Sequence, residues 1–313
     1  MMNTIESPVA APQKYKSYSA ARTVSKVLSY VFLVLLSIIW LYPILWIIVS
    51  SFRVSTSGDI VSVGIPSTYF PDGVKETFGF QNYLYLFQDG FGERIFFGRW
   101  FLTTLIIAVC SCVISTAFTL MVAYVMSKLQ FSFRKSYLNI ALIIGLFPGF
   151  MSMVAIYYLL TAMGLTEYPE LGVVALILCN SAGAGTGFYV AKGFFDVIPN
   201  SLMESARLDG ATNAQIFWHI ILPMSKPIVI YQALMAFTGP WMDFIFARVI
   251  LGEDARYWTV SVGLYQTLNA TQSDGTVFSI GAAGCVMVAI PIVTLFMFLQ
   301  KYYVEGVTAG SVK

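Results

Sequence analysis

Hydrophobic residues in this chain gather into long runs instead of alternating with polar ones. Six runs stand out, at about 27–52, 97–127, 137–160, 171–193, 226–250 and 279–300. Each is long enough for a helix to cross the roughly 30 Å hydrocarbon core of a bilayer. Pro43 should bend the first, and Gly145 with Pro148-Gly149 interrupts the third. Gly239-Pro240 sits in the outer half of the fifth and Pro291 inside the sixth. Between the runs lie a polar tail (1–26), a loop rich in Gly, Pro and aromatics (53–96) and short links at 128–136 and 161–170. A polar loop (251–278) and a C-terminal tail (301–313) complete the chain, and a short interfacial helix is predicted near Gln81–Phe87. The segments group as a tail 1–26, a first span with its loop 27–96, a core 97–303 and a final tail 304–313.

Residues 199–223 (PNSLMESARLDGATNAQIFWHIILP) break this pattern, being of mixed polarity between two apolar runs. Ser201 with Glu204 reads as a capping box, in which two side chains satisfy orphan amides at a helix start. Gly210 supplies a left-handed stop. Thr212 with Gln215 reads as a second box, and Leu222-Pro223 should end the second helix. The prediction is a helix, a glycine elbow and another helix. Leu202, Met203 and Ala206 share one face of the first; Ile216, Phe217, Ile220 and Ile221 share one face of the second. Arg207 is the only strong cation of this hairpin, too few for a DNA-reading helix-turn-helix.

Composition agrees with the runs. The chain is 58% hydrophobic and 11% charged, with mean hydropathy +0.75, against about 25% charged residues in soluble domains. An all-α integral membrane protein with six transmembrane helices follows. The polar start and the length of the first run argue against a cleavable signal. If the N-terminus is inside, the inner segments hold twelve Lys and Arg and the outer ones six. That bias places both termini and the 199–223 hairpin in the cytoplasm.

Candidate chemistry is sparse. No nucleotide-binding, zinc-protease or serine-hydrolase motif is present. The segment 181–187 (SAGAGTG) superficially looks like a phosphate loop but lacks the following Gly-Lys-Ser/Thr. Its Ser181/Gly185 and Gly183/Gly187 spacing instead suits close helix approach. Cys110, Cys112, Cys179 and Cys285 lie in apolar runs and read as small hydrophobes. The single histidine, His219, reads as structural or as part of a docking surface. Charge inside a span is expensive, which singles out Asp243 and Arg248 in the outer half of the fifth run. They are five apart, an awkward helical pair, and an interfacial Asp with a snorkelling Arg is the simpler reading. No chain of buried acids or bases suggests a proton relay, which weighs against an ion-coupled carrier.

The hairpin resembles the cytoplasmic EAA motif of binding-protein-dependent ABC transporter permeases. Glu204, Ala206, Gly210, Ile220, Leu222 and Pro223 stand at the motif's spacing, and Ser205 is the one departure. The resemblance implies a coupling element that docks on a separate ATPase subunit through Glu204, Ser205, Ala206, Asp209, Gly210, Ala211, Ile220, Leu222 and Pro223. Residues 204–227 and the tail 305–313 (EGVTAGSVK) look like the MalG-type carbohydrate permeases of maltose and maltodextrin importers. That likeness is strongest over the last third and weakest in residues 1–96.

It implies a bacterial plasma-membrane subunit paired with a second, MalF-type permease, two ATPase subunits and an extracytoplasmic sugar-binding protein. ATP and Mg would belong to the ATPase subunits, with no cofactor on this chain and no nucleic acid. Such a tail reaches the ATPase interface, making Gly306, Thr308 and Gly310 expected contacts. Pro240 and Asp243 are expected along the translocation path. The expected function is half of a sugar pore that couples ATPase closure to alternating access. Alternatives are a permease for a galacto- or raffinose-type sugar, an ion-coupled secondary transporter, and a membrane-bound enzyme.

Overall fold

The computed structural model describes residues 18–56, 68–90, 95–182, 184–274 and 277–309. Two units are distinguished, Met1–Ile47 and Ile48–Lys313. The first carries most of helix α1 (Tyr18–Ser51), which begins inside the expected tail and holds Pro43. That helix is apolar all round, as a membrane span should be.

The second unit opens with a feature the loop's composition did not predict. Strands β1 (Arg53–Ser55) and β2 (Glu76–Phe78) pair antiparallel. The Arg53 guanidinium is buried between the Glu76 carboxylate at 2.5 Å and the Thr68 carbonyl at 2.5 Å. Asp72 turns the chain by accepting the amides of Val74, Lys75 and Glu76 on one oxygen. Those amides, Lys75 first, hold its carboxyl below the usual range. Helix α2 (Gln81–Phe87) follows, at the predicted position. Its buried Asn82 donates to the carbonyls of Ser51 and Arg53 at 2.9 and 2.7 Å, tying it to the end of α1.

Helix α3 (Phe97–Lys128) is the central post. Beyond it come α4 (Arg134–Gly145), α5 (Gly149–Ala162), α6 (Pro169–Ala182) and α7 (Ala184–Asp196). Then follow α8 (Asn200–Leu208), α9 (Asn213–Ile216), a π turn (Phe217–Ile221), α10 (Leu222–Met224) and α11 (Lys226–Met242). The chain closes with α12 (Ile245–Leu251), a 3-10 turn (Ala255–Tyr257), α13 (Val260–Asp274) and α14 (Phe278–Ala309). Helices α6, α7 and α11 pack around α3, and α13 and α14 join them at its N-terminal end. Among the described residues, four helices are long and apolar enough to cross a membrane, and up to six if each bent pair counts as one span.

Three of the expected spans change form. The third is two helices, α4 and α5, bent by 101° across Leu146–Pro148. Pro148 lacks the amide to continue α4 and instead serves as the N-cap residue of α5. The fifth ends at Met242, and Asp243 and Phe244 separate α11 from α12. The sixth does not stop near residue 300, because α14 runs on to Ala309.

The region 251–278 is not the predicted polar loop. Its helix α13 is too polar to be a span, yet Val260, Val262 and Leu264 are buried against Trp100, Ile107 and Ile280. The Trp100 indole donates to the Ala255 carbonyl at 2.6 Å. Thr104, in the next turn of α3, accepts the Val260 amide at 2.9 Å and so caps α13. Gly263 permits this approach: a Cβ there would lie 2.2 Å from the Trp100 ring.

The predicted small-residue stripe is only partly used. Ser181 is buried, but the missing Gly187 side chain faces open space. Gly183 lies outside the described residues. The four cysteines are free and half-buried, and Cys112 Sγ donates to the Ala233 carbonyl.

The fit of α13 on α3 can be tested at Gly263. Gly263→Ala drives a methyl into the Trp100 ring, an overpacking cost of about 1–3 kcal/mol. A lower Tm of the detergent-solubilised protein is expected, and an unchanged Tm would show that the two helices do not approach so closely.

Candidate functional site

The hairpin forms where the sequence places it, with two corrections to its helix ends and one to its buried face. Its first helix, α8, has Pro199 as N-cap residue and no side-chain cap. Ser201 lies inside that helix, so the Ser201–Glu204 box is not made. The cap position falls on Pro199, whose ring offers no hydrogen-bond acceptor, two residues before Ser201. The second correction concerns Leu222-Pro223, which does not end the second helix. The π turn at Phe217–Ile221 widens the spiral, and Leu222 donates to the Phe217 carbonyl, five residues back. Helix α10 then carries Pro223 near its start. The chain breaks at Ser225, with an 87° bend into α11. A π turn next to a proline re-registers the hydrogen bonds that the proline cannot make.

The elbow between the helices is as predicted. Gly210 has φ +84°. The Ala211 amide donates to the Ala206 carbonyl at 2.9 Å and the Gly210 amide to Arg207 at 3.0 Å. This is the Schellman arrangement, and Ala206 and Ala211 make its apolar contact at the edge of the core. The Thr212–Gln215 box is complete in both directions. Ser205 and Asp209 accompany Glu204 on the exposed side.

One face of the hairpin is anchored. Met203, Ile216, Phe217 and Ile221 are buried with Leu120, Tyr124, Phe188 and Phe195 of α3 and α7. Ile220 and Leu222 pack at the rim, while Leu202, predicted on the buried face, is exposed. Polar bonds fix the base. Lys128, at the end of α3, donates to the Ile198 carbonyl at 2.6 Å and to Asn200 at 3.1 Å. Tyr124 donates to the Asn213 carbonyl at 3.1 Å. Ser127 and Lys192 both bind Asp196, at 2.6 and 2.7 Å.

The other face is open. A polar groove of about 570 Å³ runs between the α3–α4 link and the hairpin, lined by Lys128, Gln130, Asn200, Glu204, Arg207 and Asn213. Glu204 therefore stands beside cations and amides instead of capping its own helix. His219 is exposed, one ring nitrogen 3.1 Å from the Gln215 carbonyl.

A second candidate site lies at the breaks in the third and fifth runs. A cavity of about 430 Å³ is lined by Phe150 and Ser152 of α5, Cys179 and Asn180 of α6, Asp243, and Phe246 of α12. Asp243, one residue before the N-cap residue Phe244, accepts the Phe246 amide in the first turn of α12 at 3.2 Å, and its carbonyl accepts the Ser261 hydroxyl at 2.5 Å. Pro240 is buried one turn earlier and does not line this cavity. Arg248 makes no pair with Asp243. It donates to the Gly252 carbonyl and to Glu253, and its guanidinium lies 5.2 Å from the centre of the Trp258 ring.

Sequence reasoning passed over Asn180 and the groove residues Lys128, Gln130 and Asn213. An amide inside the apolar run 171–193 was the available signal for the first. Nothing in the pattern marked the groove, which exists only because three segments meet. Of the expected tail contacts, Gly306 and Thr308 fall on the helical backbone of α14 and Gly310 lies outside the described residues.

Residues 115–308 match the family described as binding-protein-dependent transport system inner membrane component. The maltodextrin transport system permease protein MalD of Streptococcus pneumoniae is 32% identical over 95% of this chain and 99% of its own. The maltodextrin transport system permease protein MdxG of Bacillus subtilis is 33% identical over 94% of this chain and 99% of its own. Among solved structures, a chain of a bacterial ABC transporter that imports the acidic polysaccharide alginate superposes with TM-score 0.69 at 21% identity. That likeness covers 91% of this chain and 99% of the other. The multi-span architecture and these matches place the protein in the bacterial plasma membrane. The chain belongs to the family of inner membrane components of binding-protein-dependent transport systems.

Proposed function

We propose that this subunit forms half of the translocation path of an ATP-driven oligosaccharide importer, with maltodextrin-type sugars as substrate. One observation carries the coupling part of this reading: the hairpin is anchored on one face and open on the other. Buried Met203, Ile216 and Ile221 lock it to α3 and α7, while Glu204, Ser205, Asp209 and Gly210 stay exposed. A rigidly held hairpin with a free polar face suits transmission of force from a docked partner. That partner is a pair of ATPase subunits on the cytoplasmic side, which the charge bias assigns to the hairpin and both termini. ATP and Mg belong to those subunits.

A second, MalF-type permease would complete the pore, and an extracytoplasmic sugar-binding protein would deliver the substrate. The two maltodextrin permeases at 32 and 33% identity support the sugar class. Closure of the ATPases would push the hairpin, and the helices on α3 would rock between inward- and outward-open arrangements. Galacto- and raffinose-type sugars remain competing substrates within the same mechanism. Uptake assays with each sugar, with and without ATP, separate them; proton-driven uptake without ATP would overturn the coupling scheme.

Glu204→Gln isolates the charge of this residue, because α8 has no side-chain cap to lose. If the carboxylate pairs with a cation on the ATPase, co-purification should weaken roughly tenfold, as for an interface charge pair. The subunit should still insert. Wild-type uptake and co-purification in Glu204→Gln would remove the ion pair from the scheme.

Gly210→Val should damage the elbow by about 1–3 kcal/mol through backbone strain alone. No atom lies within 4 Å of a Cβ at this position, so crowding adds nothing. Gly210→Asn, which tolerates positive φ, should restore much of the sugar-stimulated ATP hydrolysis. Equal activity of the Val and Asn variants would show that the elbow does not matter.

Deleting residues 306–313 should leave assembly intact and reduce transport, if the last turn of α14 and the residues after it touch the ATPase pair. Uptake and sugar-stimulated ATP hydrolysis at wild-type rates in the truncated complex would make this segment dispensable.

A further inference from the structure

We infer that the cavity at the two helix breaks is a sugar subsite carried by this subunit, with Asp243 and Asn180 binding hydroxyls and Phe150 and Phe246 forming the apolar wall. The inference rests on the importer reading and adds to it a place and a set of contacts.

Asp243 interrupts an apolar run, where an ionised group needs a partner or water. Among the described residues no cation pairs with it, because Arg248 is engaged by Gly252, Glu253 and the Trp258 ring. One carboxylate oxygen accepts the Phe246 amide, which fixes the group at the cavity wall. Across the cavity, the Asn180 amide nitrogen donates to the Leu176 carbonyl at 2.9 Å within its own helix. That bond fixes the amide and leaves its oxygen as an acceptor. Ser152 adds a hydroxyl from α5. The set is therefore a few oriented polar groups among aromatic and aliphatic walls, the usual make-up of a small-molecule site.

The position fits as well. Substrate sites in transporters collect where membrane helices are discontinuous, and here α5 starts after one break and α12 after another. A metal ion suits the site poorly, since no group of three metal-ligating side chains occurs among the described residues. A pyranose fits better, offering hydroxyls at its rim and apolar C–H faces for Phe150 and Phe246.

The test uses the complete importer with its partner subunits in proteoliposomes and maltotriose as probe. Cys179 lines the same cavity, so a Cys110→Ser, Cys112→Ser, Cys285→Ser background leaves one reporter thiol on this subunit. Maltotriose should slow alkylation of Cys179 by N-ethylmaleimide during turnover, and Asn180→Ala should abolish that protection. Maltotriose uptake should fall roughly tenfold in Asn180→Ala, as expected for lost hydroxyl bonds. Asp243→Asn, which keeps an acceptor for both the Phe246 amide and a hydroxyl, should retain most uptake where Asp243→Ala loses it.

Equal loss in Asp243→Asn and Asp243→Ala would mean the charge itself is read, and would overturn the hydroxyl assignment. Sugar-independent alkylation with normal uptake in Asn180→Ala would overturn the subsite while leaving the importer reading intact. No ATP-dependent uptake of maltotriose, raffinose or galactotriose by the unsubstituted importer would overturn both.

Discussion

Backbone amides and carbonyls shielded from water, by lipid or by packed helices, must find their partners inside the protein. This structure depends on how those partners are supplied. Asn82 takes the carbonyls of Ser51 and Arg53 where α1 ends. Thr104 takes the Val260 amide, and Trp100 the Ala255 carbonyl, where the chain turns into α13. Asp243 takes the amide that opens α12, and Lys128 the carbonyl just before the hairpin. Most of these partners project from α3 or from the segments beside it, which is why α3 acts as the post of the fold.

The same constraint gives the two ends of the bundle different characters. At the hairpin end, polar bonds from Tyr124, Ser127 and Lys128 reinforce an apolar cluster built on Phe188, Phe195 and Ile216. A hairpin held in both ways is tied to α3 by packing and by hydrogen bonds. At the other end, short elements are stapled by indoles and by Arg248, and the breaks between them leave room for a cavity. Both suit the proposed role: a stiff connection where force would enter and discontinuous backbone where a solute would pass.

How much could be read beforehand depends on the range of the physics involved. The long apolar runs, α2, the Gly210 elbow and the Thr212–Gln215 box are local, set by residues within one or two turns of each other, and the sequence states them directly. Ser201–Glu204 matched a local pattern too, yet Pro199 took the cap position. The strand pair was missed because its partners, Arg53 with Phe78 and Ser55 with Glu76, lie on either side of a long loop. Helix α13 was missed because its burial comes from Trp100 and Ile280 and not from its own hydropathy.

The sequence by itself determined that the chain is membrane-embedded and helical, and where its helix–elbow–helix hairpin lies, because hydropathy and capping are properties of neighbouring residues. Only the tertiary structure decided that Glu204 faces a groove instead of a helix end. It likewise decided that Arg248 turns away from Asp243, and that Asp243 meets Asn180 across a cavity. Those outcomes depend on where broken helices come to rest against α3, and no spacing along the chain encodes that distance.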